Sequence, residues 1–547
     1  MTLIDRSSTD DPAANFITQL PPEEYLGNDN TNNVIRAWLG DCFETHPESL
    51  VNRALPRLPT RVVDVGIGPN PEVKLFETPR EFCAHYITLS YCWGRPRFLT
   101  TVLANLEEHK KALNVSSLPL TFQDAILTTR NLGFRYVWID ALCIIQDSNE
   151  DKSKEIGKMG DVYSDSTLTI AVVGATAVAE GFLKTKVRQS VDLPYRCPDG
   201  TLGSVRVSPQ KESDLWDESL YTRAWCLQEN LLSPRLLLYT DTEVIWQCQT
   251  SPMKRPKTTH VSYVRENPNL GKSPFSRLPA NVLKPATELE EEAQKPLSDA
   301  ERYRIWASLV QNYTKRNLTV ASDRLPALSG IAQKFEVAWK DKYLAGIWER
   351  QLLPSLAWRR STEPGQQYYP ALTEYRAPSW SWASIDGPVE FDIRFDLGNT
   401  RGSQAKIISC KFDMGSTKKD AILVEGYMIP VAQLENEEED RMGQLYMDNH
   451  PDDGRWPLLA DKIVEFDEEM KSLCWRFLLG EGKEGAGKMM RTTALVLMQA
   501  SGEDEDTFTR IGLWKTSVKG ASKLWIGNQG PKDGGKIRNN KRVIKII

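Results

Sequence analysis

Between residues 86 and 249, short apolar runs alternate with segments of helical period. YITLSY (86–91) predicts a buried strand. LPLTFQDAILTTRNLG (118–133) predicts a helix with Phe122, Ala125, Ile126, Thr129 and Leu132 on one stripe and Gly133 as its stop. YVWID (136–140) predicts a second strand. SNEDKSKEIGKMGDVYSDS (148–166) predicts another helix, with Ile156, Met159 and Tyr163 at three-to-four spacing. LTIAVVG (168–174) predicts a third strand. This rhythm argues for an α/β parallel sheet with right-handed crossovers. YTRAWCLQENLL (221–232) is helical in pattern, and RLLLYT and VIWQCQ predict two strands around the turn DTE.

The pattern is different outside this stretch. Residues 1–80 read as a lead-in, with one amphipathic helix in 24–46 that places Val34, Trp38 and Leu39 on one side. RVVDVGIGPNPEVKLFET (61–78) contains DVGIG, a fragment of a nucleotide-binding glycine loop. Pro69 and Asn70 stand where the third glycine and a helix start would be, so two short strands joined by a turn are expected, not a methyltransferase loop. Residues 81–250 form the α/β domain. Residues 251–300 carry seven prolines and the acidic run ELEEEAQ, and read as a linker or surface excursion. Residues 301–370 read as helical, through 300–319 and DRLPALSGIAQKFEVAW (323–339). Residues 371–547 read as antiparallel and β-rich, through APSWSWASI, AILVEGYMI, TTALVLMQA, RIGLWK and KRVIKII.

Composition narrows the class. The chain has 547 residues, more than one core serves, with 40% apolar and 26% charged residues as in ordinary globular proteins. A net charge of −5 gives no general pull toward nucleic acid or anionic membrane. The basic tail 532–547 reads as a solvated strand edge, where lysines discourage self-pairing. Nine widely spaced cysteines without a CxxC argue against a disulfide framework or a zinc site. No signal pattern or membrane-length apolar run is present, so a cytoplasmic location is expected.

Candidate chemistry lies at the predicted strand ends, where ligands sit in parallel sheets. Ser90, Tyr91, Trp93 and Gly94 follow the first strand; the two aromatics either wall a pocket for a flat ring or cover the sheet end. Asp140 follows the second strand, as a helix cap or a partner for a ribose hydroxyl. Cys92 and Cys143 read as buried thiols, since none of the five histidines has a cysteine-enzyme context. Trp225 and Glu229 are four residues apart and share a helix face. A carboxylate there has either a raised pKa and an acid/base or cation-stabilising role, or a salt bridge to Arg223 or Arg235.

YITLSYCWG, the long segment from LPLTFQDAIL through DSTLTIAV, and RAWCLQENLLSPRLLLY, in that order over about 86–240, resemble the fungal heterokaryon-incompatibility (HET) domain. DRLPALSGIA and YRAPSWSWASIDGPV resemble segments that often follow it. Ala224, Cys226 and Asn230 depart from the glycine, threonine and arginine common there. The resemblance implies non-self recognition that ends in programmed cell death. It also implies a distant likeness to Toll/interleukin-1 receptor (TIR) domains, and so a Rossmann-like sheet with flanking helices. By position, Glu229 then corresponds to the glutamate with which enzymatic TIR domains cleave NAD, with Trp225 as its helix neighbour. NAD is the implied substrate, with Ser90, Tyr91, Trp93, Gly94, Asp140 and Trp225 as binding residues. No phosphate-cradling glycine loop is present, so loop amides or an arginine such as Arg95 or Arg97 would serve the pyrophosphate. The alternative is a non-catalytic module that self-associates or binds an incompatibility partner protein.

Overall fold

A computed structural model of the chain describes residues 2–6, 11–17, 23–45, 55–68, 71–95, 98–186, 190–209, 218–249, 297–361, 375–391, 405–411, 420–430, 444–447, 474–483, 490–500, 503–516 and 541–547. The chain divides into two compact units, Met1–Ala280 with Pro326–Ile331, and Asn281–Leu325 with Ala332–Ile547.

The first unit is built on a seven-stranded mixed sheet. Its strands are β2 (Arg61–Asp64), β3 (Lys74–Glu77), β4 (Tyr86–Ser90), β5 (Tyr136–Trp138), β6 (Leu168–Val172), β9 (Arg235–Tyr239) and β10 (Val244–Cys248). They lie in the order β10-β9-β6-β4-β5-β2-β3. β1 (Thr2–Arg6), β7 (Val191–Arg196) and β8 (Leu202–Pro209) form a separate small antiparallel sheet. The central four strands, β9-β6-β4-β5, are parallel. β4 and β6 are buried along their whole length, as parallel strands covered on both faces require. The expectation of a parallel sheet holds for this centre only. β2, β3 and β10 extend it antiparallel. β2 and β3 are the two strands joined by a turn expected around DVGIG, so that glycine run opens a hairpin and not a nucleotide loop.

The helices of this unit are α1 (Asp29–Thr45), α2 (Leu106–Lys111), α3 (Leu120–Asn131), α4 (Asp140–Cys143), α5 (Asn149–Ser164) and α6 (Trp225–Leu232). Phe122, Ala125, Ile126, Thr129 and Leu132 are all buried, and Gly133 stops α3 with φ +83°. Two faces differ from the sequence pattern. α1 buries Ile35, Trp38, Leu39 and Cys42 and leaves Val34 exposed, because adjacent apolar residues allow two helical phases. In α5, Ile156 is half-buried and Glu155 is buried, bonded by Thr60 (2.8 Å) and Lys158 (3.2 Å).

The second unit opens with α7 (Asp299–Thr314), whose Ser298 and Glu301 form a reciprocal N-terminal capping box. The predicted helix at 323–339 is α8 (Pro326–Trp339). Two strand pairs follow: β11 (Tyr343–Leu344) with β12 (Ile347–Trp348), and β13 (Trp358–Arg360) with β14 (Val389–Phe391). APSWSWASI is not a strand. Trp382–Ser384 form a 3-10 turn, with the Ser381 hydroxyl accepting the Ala383 amide at 3.0 Å. The C-terminal strands are β15 (Lys406–Lys411), β16 (Ala421–Pro430), β17 (Gln444–Met447), β18 (Cys474–Lys483), β19 (Met490–Gln499), β20 (Thr507–Thr516) and β21 (Lys541–Ile546). β21 pairs antiparallel with β16 and parallel with β20, so β16, β18, β19, β20 and β21 close into a ring. The final basic strand is therefore not an edge. The predicted linker lies almost wholly outside the described residues, as does the tail before Lys541.

Candidate functional site

The chain leaves β4 toward β5 on one side, and β6 lies on the other side of β4, so the connection direction reverses between β4 and β6. A crevice outside the carboxyl ends of such a strand pair is the usual ligand position in open α/β sheets. Ser90 is the last residue of β4. Its hydroxyl donates to Glu229 Oε2 and lies 3.8 Å from Cys226 Sγ. Cys226 and Glu229, three apart on α6, share the helix face turned to Ser90. A chain of buried hydroxyls fixes that helix on the sheet. Thr88 and Thr169 bond at 2.6 Å, Thr169 and Ser233 at 2.6 Å, and Ser233 donates to the Glu229 carbonyl at 2.5 Å.

Asp140 is the first residue of α4, and its side chain takes one of that helix's first-turn amides. Its carboxylate accepts from the Tyr91 hydroxyl at 2.8 Å, the Trp93 indole at 2.9 Å and the Ala141 amide at 2.7 Å. The bend after β4 is thus strapped to the end of β5. Arg223, just before α6, donates to the Tyr91 carbonyl oxygen. Gly94 has φ +68°, and a Cβ there would lie 2.3 Å from Ala177 Cβ, so only glycine lets the loops after β4 and β6 touch. Trp225 begins α6, half-buried, one turn before Glu229. The predicted residues Ser90, Tyr91, Trp93, Asp140 and Glu229 are brought together by these bonds. Arg223 was anticipated only as an ion-pair partner, and Cys226 only as a departure from the family pattern. Arg223 stands two residues before Trp225, within RAWCLQENLL, and no local spacing signals its reach to Tyr91.

Glu229 is 5% exposed. Burial raises its pKa, the Arg223 cation and the Ser90 and Cys226 hydrogen bonds pull it back, and Asp140 pushes it up again. Burial likewise raises Asp140 against the bonds from Tyr91 and Trp93 and the charge of Arg223. Burial opposes the charge of Arg223, but the surrounding acidic groups, Cys226, Glu229 and Asp140 among them, hold it firmly cationic. Cys92 and Cys143 are buried thiols whose pKa burial raises, that of Cys143 to about 12.

A pocket of about 260 Å³ opens beside the same bend, with Phe98, Leu99, Leu118, Pro119 and Val178 in its wall and Arg95 at its rim. Ser90, Tyr91, Trp93, Asp140, Trp225 and Glu229 do not line it. Trp93 and Phe98 meet edge to face at 5.4 Å. Among the described residues no helix is long and apolar enough to cross a membrane.

Residues 86–229 match the family model described as heterokaryon incompatibility protein (HET), from the first residue of β4 to Glu229. Heterokaryon incompatibility protein 6, OR allele, of Neurospora crassa is 32% identical over 96 residues, covering 16% of this chain and 14% of that protein. The chain thus aligns with a small part of that relative's length. No solved structure matches the chain. The segment similar to the HET family model is thus the one that joins β4, the end of β5 and α6 in one hydrogen-bonded centre.

Proposed function

We propose that this protein acts in fungal heterokaryon incompatibility, and that its HET domain does so by hydrolysing the N-glycosidic bond of NAD or a related nucleotide. The reaction is NAD plus water to ADP-ribose, nicotinamide and a proton. The observation that carries the reading is Glu229 held against Ser90 at the carboxyl end of β4, where the strand order reverses. Cleavage builds positive charge on the ribose carbon, and a carboxylate beside it stabilises that charge in a site from which water is excluded. Burial raises the pKa of Glu229 and the Arg223 cation opposes that rise, while the Ser90 hydroxyl holds the carboxylate in place. Substrate must displace the Ser90 hydroxyl from the carboxylate to reach it.

One observation favours the second reading, a non-catalytic signalling module: the Glu229 carboxylate is buried and already bonded. The two separate cleanly. Purified full chain is incubated with NAD and nicotinamide release is followed, with Glu229→Gln alongside. The hydrolase reading expects release to fall by about 10²–10⁴-fold in the variant. Absence of turnover, with Glu229→Gln still killing cells when expressed in a fungal host, would establish the module.

A further inference from the structure

We infer that the pocket beside Gly94 is the seat for the ring end of a nucleotide, the end remote from the bond at Glu229. This rests on the hydrolase reading for its distant end only. The pocket lies between the loop after β4, the loop after β6 and the entry to α3, outside the carboxyl ends of β4 and β6.

Its walls are already held together. The Val178 amide donates to the Trp93 carbonyl at 3.3 Å, and the Thr121 amide donates to the Val178 carbonyl at 3.0 Å. Phe98 packs edge to face on Phe122 at 5.7 Å as well as on Trp93. Gly94 permits the backbone approach to Ala177 that closes this side. A preformed, mostly apolar concavity is the usual form of a small-molecule site.

Size decides how much of a ligand it takes. At about 260 Å³ it falls below the roughly 300–1,000 Å³ typical for a whole drug-sized ligand. It therefore holds one ring system and not a complete dinucleotide. Chemistry decides which ring. Among the described residues the lining is apolar but for Ser117 and Arg95, contains no carboxylate, and has Arg95 exposed. A flat, neutral heteroaromatic ring fits the wall, and a phosphate attached to it meets the guanidinium. Arg95 is five residues beyond Ser90, so the two lie at most about 18 Å apart along extended backbone.

The test uses the full chain and isothermal titration calorimetry with ADP-ribose. Ala179→Trp fills the pocket from an exposed rim position. It is expected to weaken binding at least tenfold, and Arg95→Gln about five- to tenfold. Adenosine monophosphate should compete, and ribose 5-phosphate should not. The proposal falls if the unaltered chain shows no binding at millimolar ADP-ribose. It also falls if Ala179→Trp, with its circular dichroism unchanged, binds normally. Nicotinamide release that needs Glu229 but keeps its KM in Ala179→Trp would remove the pocket and keep the hydrolase. ADP-ribose held in the pocket without any nicotinamide release would keep the pocket and remove the hydrolase.

Discussion

Glu229 sits where its own charge is disfavoured, and this gives stability a direction in pH. Its folded pKa is raised by burial, so above the ordinary carboxyl range the native state holds more protons than the unfolded chain. The stability it contributes is full below that range and is lost as pH rises through the folded value. Asp140, raised for the same first cause, acts in the same sense. Glu229→Gln keeps the shape and removes the titration. In urea unfolding at pH 5 and pH 8, the variant should therefore gain on the unaltered chain as pH rises. An unchanged difference between the two pH values would mean that the carboxylate is not so confined. The sequence shows Ser90, Asp140 and Glu229 as separate groups at predicted element ends. It does not show that Arg223 reaches the Tyr91 carbonyl, 132 residues away, because helical and strand periods encode faces and not tertiary partners.

At the scale of elements, legibility follows burial. β4, α3, β5, β6, α6, β9 and β10 were all expected from pattern: the five strands are short apolar runs buried along their whole length, α6 is buried from Cys226 to Leu232, and α3 buries one stripe. APSWSWASI misled because its aromatics imitate a strand. Ser381 bonds the Ala383 amide and donates to the Ala345 carbonyl at 2.5 Å, and such side-chain bonds compete with extended pairing. The bend after β4 is the reverse case. In sequence its Gly94 only follows the first strand, yet its more exacting duty is contact with Ala177. Gly94→Ala combines a left-handed φ with a 2.3 Å approach. It should cost about 2–4 kcal/mol, the sum of backbone strain and overpacking. Urea unfolding should show a lower midpoint at an unchanged slope. A loss under about 0.5 kcal/mol, the range of ordinary surface changes, would mean that the two loops are not pressed together.

At the scale of the whole molecule, the ring of strands in the second unit is the feature that sequence alone hid. KRVIKII has the alternation of a half-buried strand, and its lysines suggested an open edge. Pairing on both sides is long-range and leaves no local mark. The difference is measurable at neighbouring residues. Ile544 is fully buried inside the ring, while Val543 is 46% exposed on the outer face. An aspartate at 544 places an unpaired carboxylate in the core of a closed sheet, which should cost more than about 3 kcal/mol. An aspartate at 543 should stay within about 0.5 kcal/mol. Opening the ring would also bare the facing edges of β16 and β20, and bare edges pair with other chains. Ile544→Asp should therefore elute partly as larger species in size exclusion, while Val543→Asp should elute as the unaltered chain does. If both variants are equally stable and equally monodisperse, β21 is an outer strand and the ring is open.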